Sequence, residues 1–381
     1  MGSSHDASLA EGYIKMKDVL ILANSSWNIV NFRTELVSSL IDEGYRVHAC
    51  CPKDSSTNEL QQMGVNFIGV TMARGGINPF YEVILLVRYI LLFLKIRPDF
   101  VLSFTIKPNI YGGIASRILG LKCIQNITGL GSSFLKGGAM WAIMVRLYRV
   151  STYKSYHVFF QNAADKALFE EHLIIGHKRT SVLPGSGISL ERYRRKTTYG
   201  SNKEFIFLMV SRLLLDKGVY EYVEAARIMR ENGYSCKFDL LGGLDSHNPS
   251  AISPETLSNW VNSGVITYLG GEEDIVSVLE KADCVVLPSY REGAPRALME
   301  ASAMGIPLIA TNVPGCNYVL DDNVTGKLVS PKSVSDLVEK MQQMVQMKVT
   351  ERMAMGECGR DRMHQHFSVD KVIGAYRSKM A

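Results

Sequence analysis

At 381 residues the chain is long enough for two ordinary domains with generous cores, so no disulfide or metal staple is needed. Its 46% hydrophobic and 21% charged residues exclude a disordered chain. The net charge of +5 is uneven, with 23 Lys and Arg against 14 Asp and Glu in residues 1–200 (+9) and 19 against 23 in residues 201–381 (−4); a basic half suits a diphosphate, an anionic membrane or a nucleic acid.

Residues 1–15 read as an expression leader, with Met16 as the native start. Asp18–Ala23 is too short for a signal peptide and ends in polar Asn24-Ser25-Ser26, so it reads as a first buried strand. Asn31–Glu43 has helical periodicity, and Tyr45–Cys50 makes a second strand. Phe67–Val70, Phe100–Ser103, Cys123–Asn126 and His157–Phe160 continue the series. Short apolar runs separated by helical stretches predict a parallel sheet covered on both faces.

Within this half, residues 83–96 (VILLVRYILLFLKI) are very apolar, but fourteen residues fall short of the ~20 that cross a bilayer. They predict either a core helix or an interfacial one with Arg88, Lys95 and Arg97 at headgroup level. Residues 136–154 are a second such candidate, interleaving Trp141, Ile143, Met144, Leu147 and Tyr148 with Lys136, Arg146, Arg149 and Lys154.

Pro184-Gly185-Ser186-Gly187 and the basic run to Asn202 read as a linker. Beyond it, strands are expected at Phe205–Val210, Lys237–Leu241, Val265–Leu269, Cys284–Pro288 and Pro307–Ala310, with helices near 218–231, 274–282, 295–304 and 333–346. The economical architecture is α/β, two doubly wound Rossmann-like domains facing across a cleft, with ligands beyond the carboxyl ends of the strands. The seven cysteines show no CxxC pair and no Cys/His ligand spacing, and read as reduced thiols of a cytoplasmic protein.

Two segments of the second half carry chemistry. In Glu292-Gly-Ala-Pro-Arg-Ala-Leu-Met-Glu300, Gly293 and Pro295 describe a tight loop feeding a helix N-terminus. Free N–H groups and the positive end of the helix dipole suit a diphosphate there. The two glutamates sit too far apart to touch, but can hold opposite ends of one ligand through its hydroxyls. Ser211-Arg212-Leu-Leu-Leu-Asp-Lys217-Gly218 places two cations at the carboxyl end of a strand, able to neutralise a leaving diphosphate without a metal. No DxD pair lies in a loop suited to holding a metal.

Together SRLLLDKG (211–218), VVLPSYREGAPRALMEASAMGIPLIATNVPGC (285–316) and Asn323-Val-Thr-Gly326 resemble the family-4 retaining glycosyltransferases of the GT-B fold, over essentially 17–381. The resemblance implies that Arg212 and Lys217 bind the donor diphosphate and Glu300 the ribose. It places Glu292 on the donor sugar, the Gly293–Ala294 backbone near the phosphates, and the Gly270-Gly271 turn on the base edge. Trp27–Arg33, Ser103–Gly112 and Asn126–Gly131 look like the bacterial branch that extends polyprenyl-diphosphate-linked saccharides. That implies acceptor-side positions at Asn28, Thr105, Lys107, Asn109, Thr128 and Gly129. Many members carry a histidine where Thr128 stands; its role falls to Thr128, Asn126 or a backbone group, or is absent.

The expected enzyme is therefore a metal-independent, retaining hexosyltransferase without cofactor. It moves a hexose or N-acetylhexosamine from a nucleotide sugar, a UDP-sugar by preference, to a polyprenyl-diphosphate saccharide, in surface polysaccharide or glycan biosynthesis. Its place is peripheral, on the anionic cytoplasmic face of the inner membrane, with no nucleic-acid partner. The expected domains are 16–190 for the acceptor and 203–360 for the nucleotide sugar, with a terminal helix 361–381 returning to the first. A non-hydrolysing UDP-sugar epimerase would want acid/base histidines in the cleft, and those here are scattered. A non-catalytic basic membrane-binding module would leave the Arg/Lys/Glu/Glu set without purpose.

Overall fold

The computed structural model describes residues 16–72, 78–129, 138–172, 175, 179–194, 204–245, 248, 250–271 and 274–381. The expected leader, Lys136 and residues 195–203 of the basic run lie outside them. In chain order the first half comprises β1 (Asp18–Leu22), α1 (Ser26–Asp42), β2 (Arg46–Cys51), α2 (Thr57–Gln62), β3 (Asn66–Gly69), α3 (Pro79–Ile96) and β4 (Phe100–Phe104). It continues with α4 (Gly113–Leu119), β5 (Lys122–Ile127), α5 (Gly138–Thr152), β6 (His157–Phe160), α6 (Ala163–Glu171) and β7 (Thr180–Val182). The seven strands form one parallel sheet, ordered β3-β2-β1-β4-β5-β6-β7.

The second half comprises β8 (Phe205–Val210), α7 (Val219–Glu231), β9 (Cys236–Leu241), α8 (Pro254–Asn262), β10 (Thr267–Tyr268), α9 (Ile275–Leu279) and β11 (Cys284–Leu287). Then come α10 (Arg296–Ala303), β12 (Leu308–Thr311), α11 (Cys316–Val319), β13 (Gly326–Val329), α12 (Val334–Gln346), α13 (Val349–His366) and α14 (Val369–Met380). Its six strands are also parallel, ordered β10-β9-β8-β11-β12-β13. Both sheets are thus wound outward from a strand near the middle, which leaves the loops after β1, β4, β8 and β11 at their carboxyl edges.

The expected strands are all present, with local differences of known cause. Helix α1 starts five residues before the predicted Asn31, because the Ser25 hydroxyl accepts the Asn28 N–H as an N-cap. The predicted 265–269 strand pairs only at Thr267–Tyr268, on the sheet edge, and the 274–282 helix is one turn shorter at its end. The linker is less free than its polarity suggests: Ile188 and Tyr193 are buried in the second core.

The expected terminal helix 361–381 divides. Phe367 is buried in the second core, and the Ser368 hydroxyl caps a new helix by accepting the Asp370 N–H. Residues up to His366 therefore pack with the second sheet, whereas α14 crosses back. Its Val372, Tyr376 and Met380 enter the first core, and Arg377 pairs with Glu43 of the first half.

Helix α3 buries one face of the 83–96 stretch and leaves an apolar stripe exposed on the other. Leu85, Tyr89 and Phe93 are buried one turn apart, while Phe80, Val83, Val87, Leu91 and Leu94 are exposed. Spacings of three and four residues line up each set as a separate stripe.

Candidate active site

The donor-side residues meet where two loops leave the second sheet. After β8 the chain runs through Ser211–Leu214 into a single 3₁₀ turn, Leu215–Lys217, and then Gly218, whose φ is +74°. A β-carbon at Gly218 would lie 2.1 Å from the Pro288 carbonyl oxygen, so only glycine lets this loop rest on the end of β11. That contact aims Lys217 at the neighbouring loop. Its Nζ stands 2.6 Å from Glu292 Oε1, and the Ser289 hydroxyl donates to the same oxygen at 2.7 Å. Arg212 leaves the same loop in another direction: it is mostly exposed and donates to Asp245 Oδ2 at 3.1 Å.

Helix α10 begins at Arg296, one residue later than expected, with Pro295 in extended backbone before it. Gly293 and Ala294 form the approach to this N-terminus. Within the helix, Glu300 is buried, and its Oε1 accepts from Tyr193 Oη at 2.6 Å and Arg296 Nε at 2.7 Å. Burial, with the Glu300 carboxylate adding to it, pushes the Tyr193 phenol up to about 12. Sequence reading left Tyr193 in the linker. Its one legible signal was an aromatic ring inside a basic polar run. Gly271 lies in the loop after β10, packed on Gly243, and the Gly242 N–H donates to Gly270 O at 2.8 Å. Among the described residues no three His, Cys, Asp or Glu side chains gather where a metal could be held.

The acceptor-side residues lie at the carboxyl edge of the first sheet, but not all face the cleft. Thr105, just after β4, has φ +69°, a left-handed conformation that a β-branched residue rarely adopts. Its buried hydroxyl has no hydrogen-bond partner, and neither do Oδ1 of Asn28 or Oδ1 of Asn126. Three orphaned acceptor-capable atoms at the carboxyl ends of adjacent strands β1, β4 and β5 are what a polar ligand would satisfy. Lys107 is held by the buried Glu82 of α3. Asn109 is a correction: it is buried, accepting from Ser103 Oγ at 2.7 Å and donating to Asn126 O at 2.8 Å. Its amide ties the turn 108–112 to β5 and is spent on the core.

Thr128 and Gly129 meet the loop at Gly293 directly. A β-carbon on Gly293 would lie 2.3 Å from the Thr128 carbonyl oxygen. The first half makes further contacts on the same loop. Asn162 Nδ2 donates to Gly293 O at 2.8 Å, and Arg291 pairs with the buried Asp165 of α6. The Arg296 guanidinium lies 5.5 Å from the Phe32 ring of α1. None of Asn162, Asp165 and Arg291 stood out in the sequence, although Asn162-x-x-Asp165 is a legible helix-start pattern.

The family model for glycosyl transferases group 1 matches residues 192–362, and that for glycosyl transferase 4-like proteins matches 18–162. The chain is 30% identical to the N,N'-diacetylbacillosaminyl-diphospho-undecaprenol alpha-1,3-N-acetylgalactosaminyltransferase of Campylobacter jejuni, over 84% of this chain and 87% of that protein. The chain belongs to the group 1 glycosyltransferases. It is also 26% identical to a UDP-Gal:alpha-D-GlcNAc-diphosphoundecaprenol alpha-1,3-galactosyltransferase of Escherichia coli, over 67% of this chain and 68% of that protein.

The fold of this glycosyltransferase matches that of HepE from Anabaena in complex with UDP and glucose. The TM-score is 0.77 at 15% identity, covering 96% of this chain and 99% of that one. It matches sucrose-phosphate synthase from Thermosynechococcus elongatus at a TM-score of 0.79 and 18% identity, over 95% and 98%. The fold is therefore GT-B, and the family-4 resemblance read from 211–218 and 285–316 holds.

Proposed function

We propose that this glycosyltransferase moves a hexose or N-acetylhexosamine from a UDP-sugar to a polyprenyl-diphosphate-linked saccharide, with retention and without a metal. The observation that carries the reading is the Lys217–Glu292 pair, 2.6 Å across, at the carboxyl edge of the second sheet. In this reading Lys217 leaves Glu292 for the diphosphate when donor binds, and Arg212 leaves Asp245 for the same charge. The α10 N-terminus and the Gly293–Ala294 backbone add N–H donors, and preorganised donors facing developing charge are the largest catalytic term such a site can supply. Glu300, set by Tyr193 and Arg296, takes the ribose. Glu292 holds a hydroxyl of the transferred sugar.

With Lys217 on the diphosphate, Glu292 Oε1 still accepts from the Ser289 hydroxyl, and the carboxylate is occupied with a sugar hydroxyl instead of the anomeric carbon. That favours front-side attack by the acceptor hydroxyl, with the departing phosphate oxygen taking its proton. The acceptor enters over Asn28, Thr105 and Asn126. The names of the Campylobacter and Escherichia relatives, both acting on diphospho-undecaprenol-linked sugars, support this acceptor class.

The acceptor's lipid calls for a membrane surface. No helix among the described residues is long and apolar enough to cross a membrane. The exposed stripe of α3 is flanked by Arg88 and Lys95. Helix α4 lies against both α3 and α5, and α5 adds exposed Met140, Ile143 and Val150. Residues 100–164 contain seven Lys and Arg and no Asp or Glu. Apolar insertion beside unopposed cations suits an anionic bilayer.

The deciding experiment measures UDP release from a panel of UDP-sugars, with and without a polyprenyl-diphosphate saccharide, in buffer with EDTA. One sugar should give acceptor-dependent release, and the product's anomeric coupling should match the donor's. Release that is indifferent to acceptor, an inverted product or a strict divalent-metal requirement each contradicts the reading.

A further inference from the structure

The acceptor-binding half holds the donor loop at three consecutive residues. Asp165, whose side chain is fully buried, pairs with Arg291. Asn162 Nδ2 donates to Gly293 O at 2.8 Å and reaches Glu292 O at 3.5 Å. The backbone at Thr128 leaves no room for a side chain on Gly293, and Gly315 closes the other side, where a β-carbon would lie 2.4 Å from Glu292 O. Residues 291–293 are thus clamped from both halves of the molecule, with Glu292 in the middle.

The clamp is built to be stiff. Asn162 caps α6: its Oδ1 accepts the Asp165 N–H at 2.8 Å, and its Nδ2 also donates to Asp165 Oδ2 at 3.1 Å. Both anchors therefore come from one turn, and neither can shift without the other. A buried carboxylate facing a partly exposed guanidinium needs that partner in place, because losing it strands a charge away from water.

We infer that Asp165 and Asn162 are positioning residues for sugar transfer: through Arg291 and Gly293 they register Glu292, and the donor sugar it holds, against the acceptor-binding half. The inference rests on the reading of Glu292 as a donor-sugar ligand. Neither residue touches substrate. Their contribution is the geometry of the loop, and small misplacements of a reacting pair are costly in rate.

The test uses the full chain with Asp165→Asn, Arg291→Gln, the double variant and Arg291→Lys. Steady-state kinetics are measured beside UDP titration by calorimetry. Each single variant should lower kcat by about tenfold or more, and by more than it weakens UDP, since Lys217, Arg212 and Glu300 lie outside the clamp and only the Gly293–Ala294 backbone lies within it. The double variant should be no slower than the slower single, because both remove one interaction. Arg291→Lys should recover part of kcat, and donor hydrolysis relative to transfer should rise in the impaired variants.

Should Asp165→Asn fail to fold, Arg291→Gln, altered at the partly exposed end, decides the matter. Wild-type kcat in Arg291→Gln while Lys217→Ala is inactive overturns this inference alone, as do additive losses in the double variant. Normal turnover in Lys217→Ala overturns the donor-site reading, and this inference with it.

Discussion

Lys217 Nζ and Glu292 Oε1 stand 2.6 Å apart although 75 residues separate them in the chain. The pair holds the loop after β8 against the loop after β11, and it keeps a cation and a carboxylate ready at the place where a diphosphate and a sugar are expected. Lys217→Ala and Arg212→Ala should each lower kcat by about 10²–10³-fold, the loss typical of one preorganised donor. Thermal melts with added UDP should show a smaller ligand-induced rise in both variants, while the melts without UDP stay close to wild type. Wild-type turnover in either would remove that residue from the site.

Glu300→Gln should act on binding, and Glu292→Gln on turnover. Glu300 is proposed to take a ribose hydroxyl, so its loss should weaken UDP by roughly tenfold, about 1.4 kcal/mol. Tyr193→Phe, which removes one of the two hydrogen bonds to that carboxylate, should weaken UDP in the same direction and by less. Glu292→Gln should leave UDP affinity unchanged and lower kcat, which titration beside kinetics will separate.

Thr105→Gly should preserve or raise stability while harming the acceptor step. Its left-handed backbone stores on the order of 1–3 kcal/mol. A glycine would release that strain against roughly 1 kcal/mol of extra unfolded-chain entropy. The hydroxyl, buried and unpartnered, is lost at the same time. The expected result is an unchanged or higher melting temperature, together with a raised acceptor KM and an unchanged donor KM.

Changing Val87, Leu91 and Leu94 together to glutamine should abolish sedimentation with anionic liposomes and spare both UDP binding and the melting temperature. Wild-type binding should weaken as salt rises, since exposed cations are screened over about 8 Å at physiological ionic strength. Phe93→Ala is the control: Phe93 is buried one helical step from Leu94, and its truncation should cost about 3–5 kcal/mol of stability. A wild-type protein that ignores liposomes at low salt would leave the exposed stripe of α3 without a bilayer.

His157 should make stability fall in mild acid. Burial, with Lys379 adding to it, pushes this imidazole down to about 4, and its Nε2 lies 2.8 Å from Ser181 Oγ. The unfolded chain takes up a proton near pH 6.5 that the folded chain refuses until about pH 4, so stability is full above that window and drops through it. The slope from this one group is at most about 1.4 kcal/mol per pH unit. Urea midpoints between pH 7 and pH 4 should flatten in His157→Gln, and an identical slope would show that the drop comes from other groups.

Much of this molecule can be read without coordinates, because the relevant patterns are local. A strand buried on both faces must be apolar throughout, which is why Phe205–Val210 and Cys284–Leu287 stand out as strands. A loop that delivers a chain to a helix N-terminus beside a ligand needs small residues and a proline, so Gly293 and Pro295 mark the proposed donor loop while Glu292 and Glu300 flank it. The parallel two-sheet architecture and the family follow from such short-range patterns.

Long-range partners follow from nothing local. Asn109 and Thr105 lie four residues apart in one motif, yet the first is consumed by the core and the second is left strained and unpartnered. Whether a polar side chain faces solvent, ligand or backbone depends on what the neighbouring strand brings to it. The apolar stretch of α3 carries one stripe for the core and another for the surface, and composition alone does not say which residues belong to which. The Asp165–Arg291 pair spans 126 residues and joins the two halves. Each of its members reads in sequence as a common helix-start or loop charge, and only the packing of the two sheets against one another brings them within reach.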